Sequence, residues 1–165
     1  MARAVLIGLP GRGKSTLARA LAASWGCDVV DTDDVLSVSV GCSAAEFLRT
    51  RGEDAFRREE VAALGAALTA DAVVATGGGV VASEGARALL VAELTVWLDC
   101  DNAKLLERVG ESERPLLGTD PAAALARLRE QRESWYRAVS TITVNTSGEI
   151  GEALERLRRA LESVK

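Results

Sequence analysis

Near the start of the chain, Gly8-Leu9-Pro10-Gly11-Arg12-Gly13-Lys14-Ser15-Thr16 carries the spacing G-x-x-x-x-G-K-[ST]. Glycines let a backbone wrap closely around a phosphate with several N–H groups turned inward. A helix opening near Lys14 adds the positive end of its dipole. Lys14 would then reach the β- and γ-phosphates of a nucleotide as a point charge, and the Ser15 hydroxyl would hold Mg2+. Only 3 of the 20 Lys and Arg residues are Lys, so a Lys at position 14 points to a need for a compact ammonium. An ordinary Gly-rich turn between a strand and a helix would need none of this.

Four further groups could share in such chemistry. Asp31 and Asp33 stand at the end of an apolar run, and strand alternation predicts that both leave on one side. A metal-linked carboxylate and a carboxylate for a substrate hydroxyl would suit them; a solvated turn capping the next helix would suit them too. Arg57 and Glu60 are i,i+3 neighbours on an expected helix, so Glu60 could hold Arg57, although such charges are often a solvated face. Gly77, Gly78 and Gly79 follow a strand directly and allow close backbone approach by a ligand, or simply a tight turn. Arg108 and Arg114 flank or sit within Gly110 to Pro121, a stretch long enough for a lid, where Arg could reach phosphate on closure.

The elements that must position these groups are legible as an alternation. Apolar runs at Ala4 to Ile7, Asp28 to Thr32, Ala72 to Ala75, Leu94 to Leu98 and Thr141 to Asn145 read as five strands. Helical patterns lie between them, at about Lys14 to Trp25, Val35 to Leu68 with breaks near Gly41 and Gly52, Ser83 to Leu90 and Asn102 to Val109. Two more follow, at Pro121 to Val139 with Arg132 and Tyr136 one turn apart, and at Gly151 to Val164. Ser43 with Glu46 three residues on reads as a capping box. Strands alternating with helices predict a three-layer α/β/α fold around a five-stranded parallel sheet, with ligands beyond the carboxyl ends of the strands. Gly8 to Ser15, Asp31 to Asp33 and Gly77 to Gly79 all fall at such ends.

Bulk properties narrow the class. At 165 residues, 48% hydrophobic and 27% charged, the chain reads as one soluble domain over residues 1–165. No apolar stretch has the length of a membrane span, and the N-terminus reads as a strand without a leader, so a cytoplasmic location is expected. A net charge of −4 without a basic run argues against nucleic acid as a partner. The lack of histidine removes His-based metal sites and Ser-His or Cys-His catalysis. Cys27, Cys42 and Cys100 have no C-x-x-C spacing and are expected to be small buried hydrophobes.

Taken in order, GLPGRGKST, Asp31-Thr32-Asp33, FRREE from Phe56, Gly77-Gly78-Gly79, RPLL from Arg114 and R-x-x-x-Y at Arg132 and Tyr136 resemble the shikimate kinases over essentially the whole chain. These are small P-loop proteins of the nucleoside monophosphate kinase type. The resemblance implies transfer of the ATP γ-phosphoryl group to the 3-hydroxyl of shikimate, with Mg2+ as cofactor. It implies ATP contacts from Gly11, Arg12, Gly13, Lys14, Ser15, Thr16, Arg108 and Arg114, with Arg108 packed on adenine. Ser15 would ligate Mg2+, with Asp31 assisting through water. Asp33, Arg57, Gly77, Gly78, Gly79 and Arg132 would bind shikimate, the two arginines at its carboxylate and Asp33 at its hydroxyls. Leu48 and Phe56 would line the ring pocket. Lys14, Asp33 and Arg114 would be catalytic. A substrate-binding segment of about 33–60 and a lid of about 110–121 would move within one monomeric domain. A gluconate kinase of the same fold, and a nucleotide-binding module without catalysis, are the alternatives.

Overall fold

The computed structural model describes residues 1–11, 13–109 and 117–164. Its centre is β1 (Ala4–Ile7), every residue of which is buried. A strand covered on both faces has no polar side to offer, which is why its sequence is a continuous apolar run. β3 (Ala72–Ala75), equally buried, pairs with β1 on one side, and β4 (Thr95–Asp99) pairs with it on the other. β2 (Asp28–Asp31) and β5 (Ile142–Asn145) form the edges, so the order is β2-β3-β1-β4-β5 with every pair parallel. The expected five-stranded α/β/α architecture is the one found.

Side-chain alternation divides the core between the two faces. Val5, Ile7, Val74 and Trp97 point into one apolar cluster, and Ala4, Leu6, Val73, Val96 and Leu98 into the other. The second is closed by α1 (Gly13–Trp25) and by the terminal helix. The first is closed by helices that lie between β2 and β5 in sequence. α2 (Thr32–Val40), α3 (Ala44–Arg51) and α4 (Glu53–Leu68) follow β2 without a strand between them. A single 3₁₀ turn (Val80–Ala82) and α5 (Glu84–Leu90) follow β3, and α6 (Asn102–Arg108) follows β4. α7 (Pro121–Val139) begins with Pro121 in its first turn and the Asp120 carboxylate accepting from Ala123 N. Its fixed φ and its missing N–H make Pro a natural helix opener there. α8 (Ile150–Glu162) buries Ala153, Leu157 and Leu161 on one face. Each buried leucine stabilises by about 1.5–3 kcal/mol, which is what holds this last helix to the sheet.

The register brings the chemistry to one edge. Leu6 pairs with Ala75, Asp31 with Ala75 across β3, and Asp99 with Asn145. The segments leaving β1, β2 and β3 therefore emerge side by side at the carboxyl end of the sheet. Of the cysteines, Cys100 is buried as expected, whereas Cys27 and Cys42 are only half-buried.

Candidate active site

The phosphate loop curls back on itself. Lys14 is buried and its Nζ donates to the Leu9 carbonyl at 2.6 Å, which aims the ammonium into the loop. Gly8 comes so close to β4 that a Cβ would lie 2.8 Å from the Leu98 carbonyl oxygen, so the first fixed glycine is required by packing. Ser15 Oγ donates to Asp31 Oδ2 at 2.9 Å. The hydroxyl and carboxylate expected around a divalent ion therefore already face each other. Among the described residues no group of three or more His, Cys, Asp or Glu could hold a metal. A hydroxyl with one carboxylate fits a hard ion that keeps waters and arrives with nucleotide phosphates, rather than one caged by protein.

One expectation about the acidic pair is corrected. Strand β2 ends at Asp31, and Asp33 lies in the first turn of α2. Asp31 is the N-cap of that helix, its Oδ1 accepting from Asp33 N at 2.9 Å. Satisfying the orphan donors of the helix start outweighs one more residue of strand pairing. Asp33 thus reaches the cleft by helical geometry. Its Oδ1 and Glu60 Oε2 lie 3.1 Å and 3.2 Å from the place a Cβ would occupy on Gly77. Two carboxylates converge over one glycine.

That convergence has an electrostatic consequence. Asp33 is open to solvent on one side, yet the cleft walls strip part of its water, and Asp31, Glu60 and Asp34 add negative charge. Against the pull of Lys14, its carboxyl is pushed up to about 6. Glu60 is almost wholly buried, and burial likewise raises its carboxyl, opposed by Arg57 and Arg132.

The arginines are held by backbone and by Glu60. Arg57 Nη1 donates to Glu60 Oε1 at 2.8 Å and to the Gly79 carbonyl at 3.0 Å, while Nη2 meets Glu53 at 3.5 Å. Its guanidinium lies 5.4 Å from the centre of the Phe56 ring. A side chain on Gly79 would collide with that guanidinium. Arg57 and Glu60 are therefore not a solvated face, although Arg58 beside them is exposed. Arg132 Nη1 donates to the Gly78 carbonyl at 2.9 Å. Leu48 and Phe56 pack with Leu36 in a small cluster beside this arrangement.

On the other side of the loop, Arg108 Nη2 donates to the Gly148 carbonyl at 2.8 Å, and its Nη1 passes 3.3 Å from the Cβ position of Gly13. Asn145 Oδ1 accepts from Ser147 N at 2.9 Å, and Ser147 Oγ accepts from Asp101 N at 2.9 Å, shaping the facing loop. Arg12 and Arg114, with most of the expected lid of 110–121, lie outside the described residues. Gly11 stands in the loop and Thr16 in the first turn of α1. A hollow of about 370 Å³ beside Arg3, Trp25, Leu94 and Leu161 contains none of these groups, and Arg3 there is already paired with Asp71 at 2.7 Å.

Two residues quoted within the sequence motifs make ties that the motifs do not announce. Thr32 is buried between the two aspartates and its Oγ1 accepts from Gly77 N at 3.3 Å, tying the acidic turn to the glycine triad. Tyr136 donates to the Gly78 carbonyl at 2.7 Å. Asp31-Thr32-Asp33 and R-x-x-x-Y contain both residues, but neither spacing shows that they meet the glycine triad.

Known proteins resemble this chain in sequence and in fold. A family model described as shikimate kinase matches residues 10–162. The shikimate kinase of Mycobacterium ulcerans (strain Agy99) is 45% identical over 148 residues, 88% of this chain and 80% of that one. That of Salinispora tropica is 43% identical over 152 residues, 91% of each. In structure, the shikimate kinase from Acinetobacter baumannii in complex with shikimate superposes with a TM-score of 0.91 at 28% identity, covering 98% of this chain and 93% of that one.

Proposed function

The chain belongs to the shikimate kinase family, and from that premise we propose that it moves the γ-phosphoryl group of ATP to the 3-hydroxyl of shikimate, giving shikimate 3-phosphate and ADP. It is an ATP-dependent kinase of shikimate. One observation carries the assignment of groups to substrate. Arg57 rests on Gly79, Arg132 on Gly78, and Asp33 beside Gly77, so two guanidinium groups and one carboxylate surround a bare stretch of backbone. A small ring acid with several hydroxyls needs Arg forks at its carboxylate and an acceptor at its hydroxyls. A linear polyol acid such as gluconate would not need that ring-sized frame.

In this reading Lys14, Gly11, Gly13, Ser15 and Thr16 hold the triphosphate, and Arg108 packs against the base. Arg12 and Arg114 join them on the strength of the sequence motifs, Arg114 as the cation that meets the transferring group when 110–121 closes as a lid. Phosphoryl transfer asks the protein mainly to position reactants and to stabilise spreading negative charge. Asp33 orients the 3-hydroxyl toward the γ-phosphorus. As the new O–P bond forms and the bond to ADP breaks, the hydroxyl proton passes to the Asp33 carboxylate. A carboxyl near 6 accepts that proton more readily than an ordinary aspartate. A divalent cation accompanies the nucleotide; we take it as Mg2+, held by Ser15 directly and Asp31 through water, where it would neutralise phosphate charge.

Residues 33–60 form the substrate-binding segment of a single domain, acting as a monomer on small molecules with no nucleic-acid partner. We take its location to be cytoplasmic; no helix among the described residues is long and apolar enough to cross a membrane. The test is product identification. Protein with Mg2+ and ATP should convert shikimate to its 3-phosphate ester, seen by phosphorus-to-ring-proton coupling in NMR, and leave gluconate untouched. Phosphorylated gluconate, or an ester at another hydroxyl, overturns the reading.

A further inference from the structure

The Gly78 carbonyl is shared by two donors from one helix. Tyr136 Oη lies 2.7 Å from it and Arg132 Nη1 2.9 Å, one turn apart on α7. A carbonyl oxygen has two lone pairs, and each donor uses one. On its other side Gly78 presses on the phosphate loop, where a Cβ would lie 2.8 Å from Pro10 atoms. The residue is clamped between the nucleotide loop and α7.

Tyr136 is well placed to hold that clamp. It is 1% exposed, and its ring stacks on Trp97 of β4 with centroids 5.7 Å apart. Trp97 is a buried member of the sheet, so the phenol stands on a rigid base. Burial pushes the phenol up to about 12, so it stays a donor throughout the working pH range. Packing alone would be served by a phenylalanine. A hydroxyl in this position does one further thing: it fixes a carbonyl on which a substrate-facing arginine also leans.

We propose that Tyr136 is a positioning residue for the acid substrate: its hydroxyl holds the Gly78 carbonyl in place and thereby sets the direction of the Arg132 guanidinium. The inference rests on the reading of Arg132 as a ligand of the substrate carboxylate. Without the hydroxyl, Gly78 can rotate, and Arg132 follows it away from the acid.

Tyr136→Phe keeps the ring and its stack on Trp97. Loss of one hydrogen bond should raise KM for shikimate by about 3- to 10-fold, with kcat within about twofold and KM for ATP unchanged. A merely structural role would lower the melting temperature and leave this split absent. Arg132→Ala is measured alongside. If Arg132→Ala raises KM strongly while Tyr136→Phe leaves it unchanged, the positioning role is wrong and the carboxylate reading stands. If Arg132→Ala itself leaves KM unchanged, the carboxylate reading fails first. Should Tyr136→Phe not fold, the single tyrosine of the chain allows biosynthetic 3-fluorotyrosine to report on this ring alone. Its fluorine resonance should move on saturation with shikimate, and a resonance that does not move overturns the proposal.

Discussion

Asp33 and Arg57 concentrate most of the testable chemistry. Asp33→Asn keeps one acceptor oxygen but removes the charge and adds a donor that can face the hydroxyl the wrong way. Helix capping cannot rescue it, because the cap of α2 is Asp31. Steady-state kinetics should show kcat lower by about 10²–10⁴, the range for a positioned acid–base group, with shikimate affinity much less affected; a kcat near wild type would remove Asp33 from the mechanism. Stability should move the other way. The folded carboxyl titrates near 6, above its ordinary 3.8, so folding favours the protonated form. Above pH 6 the wild type bears the full penalty of ionising this group, and below its unfolded value the penalty is gone. Asp33→Asn should therefore melt higher than wild type at pH 8, with the gain fading as pH falls through 6 toward 4. Arg57→Ala removes a charge-assisted contact, which should weaken shikimate binding by about 2–5 kcal/mol with ATP binding nearly unchanged. It also takes the hydrogen-bonded partner from buried Glu60, whose carboxyl is already raised by burial and would keep only the pull of Arg132. Glu60 can escape by taking a proton, so the loss of melting temperature should be smaller at pH 5 than at pH 8. Calorimetry at the two values would contradict this if the loss were equal.

Among the elements, α2 to α4 are packed unequally, and this is where motion is expected. α3 has no buried residue, and only Leu36, Phe56 and Ala63 form the core of the cluster around it. α4, by contrast, drives Leu64, Ala67 and Leu68 into the main core. Few buried contacts mean a low cost of local opening. Hydrogen exchange should show α3 exchanging quickly in apo protein and slowing strongly with ATP and shikimate, while the second half of α4 is protected in both; equal protection of α3 in both states would count against closure of 33–60. The same elements show how far sequence carries. β1 and β3 are legible because burial on both faces leaves an unbroken apolar run. Ser43 is legible as a cap, and its Oγ does accept from Glu46 N. The end of β2 is not, because Asp-Thr-Asp suits a strand end and a helix start equally well, and the outcome depends on Asp31 reaching Asp33 N. Arg57 with Glu60 is legible from spacing along one helix. The grips on Gly78 and Gly79 are not, because they join segments 22 to 58 residues apart.

At the scale of the molecule, a parallel sheet with β1 at its centre gathers three otherwise weak signals at one edge. The phosphate loop leaves β1, the acidic turn leaves β2 and the glycine triad leaves β3. The central claim is that these form one site in which nucleotide and acid react together, so that ATP turns over only when the acid is present. Coupled ADP release measures this directly, with saturating ATP and Mg2+ and with shikimate present or absent. ADP should appear at a rate set by shikimate concentration, fall to background without it, and stay at background when gluconate replaces it. ADP release that is indifferent to shikimate, or absent under all three conditions with folded protein, would contradict the account.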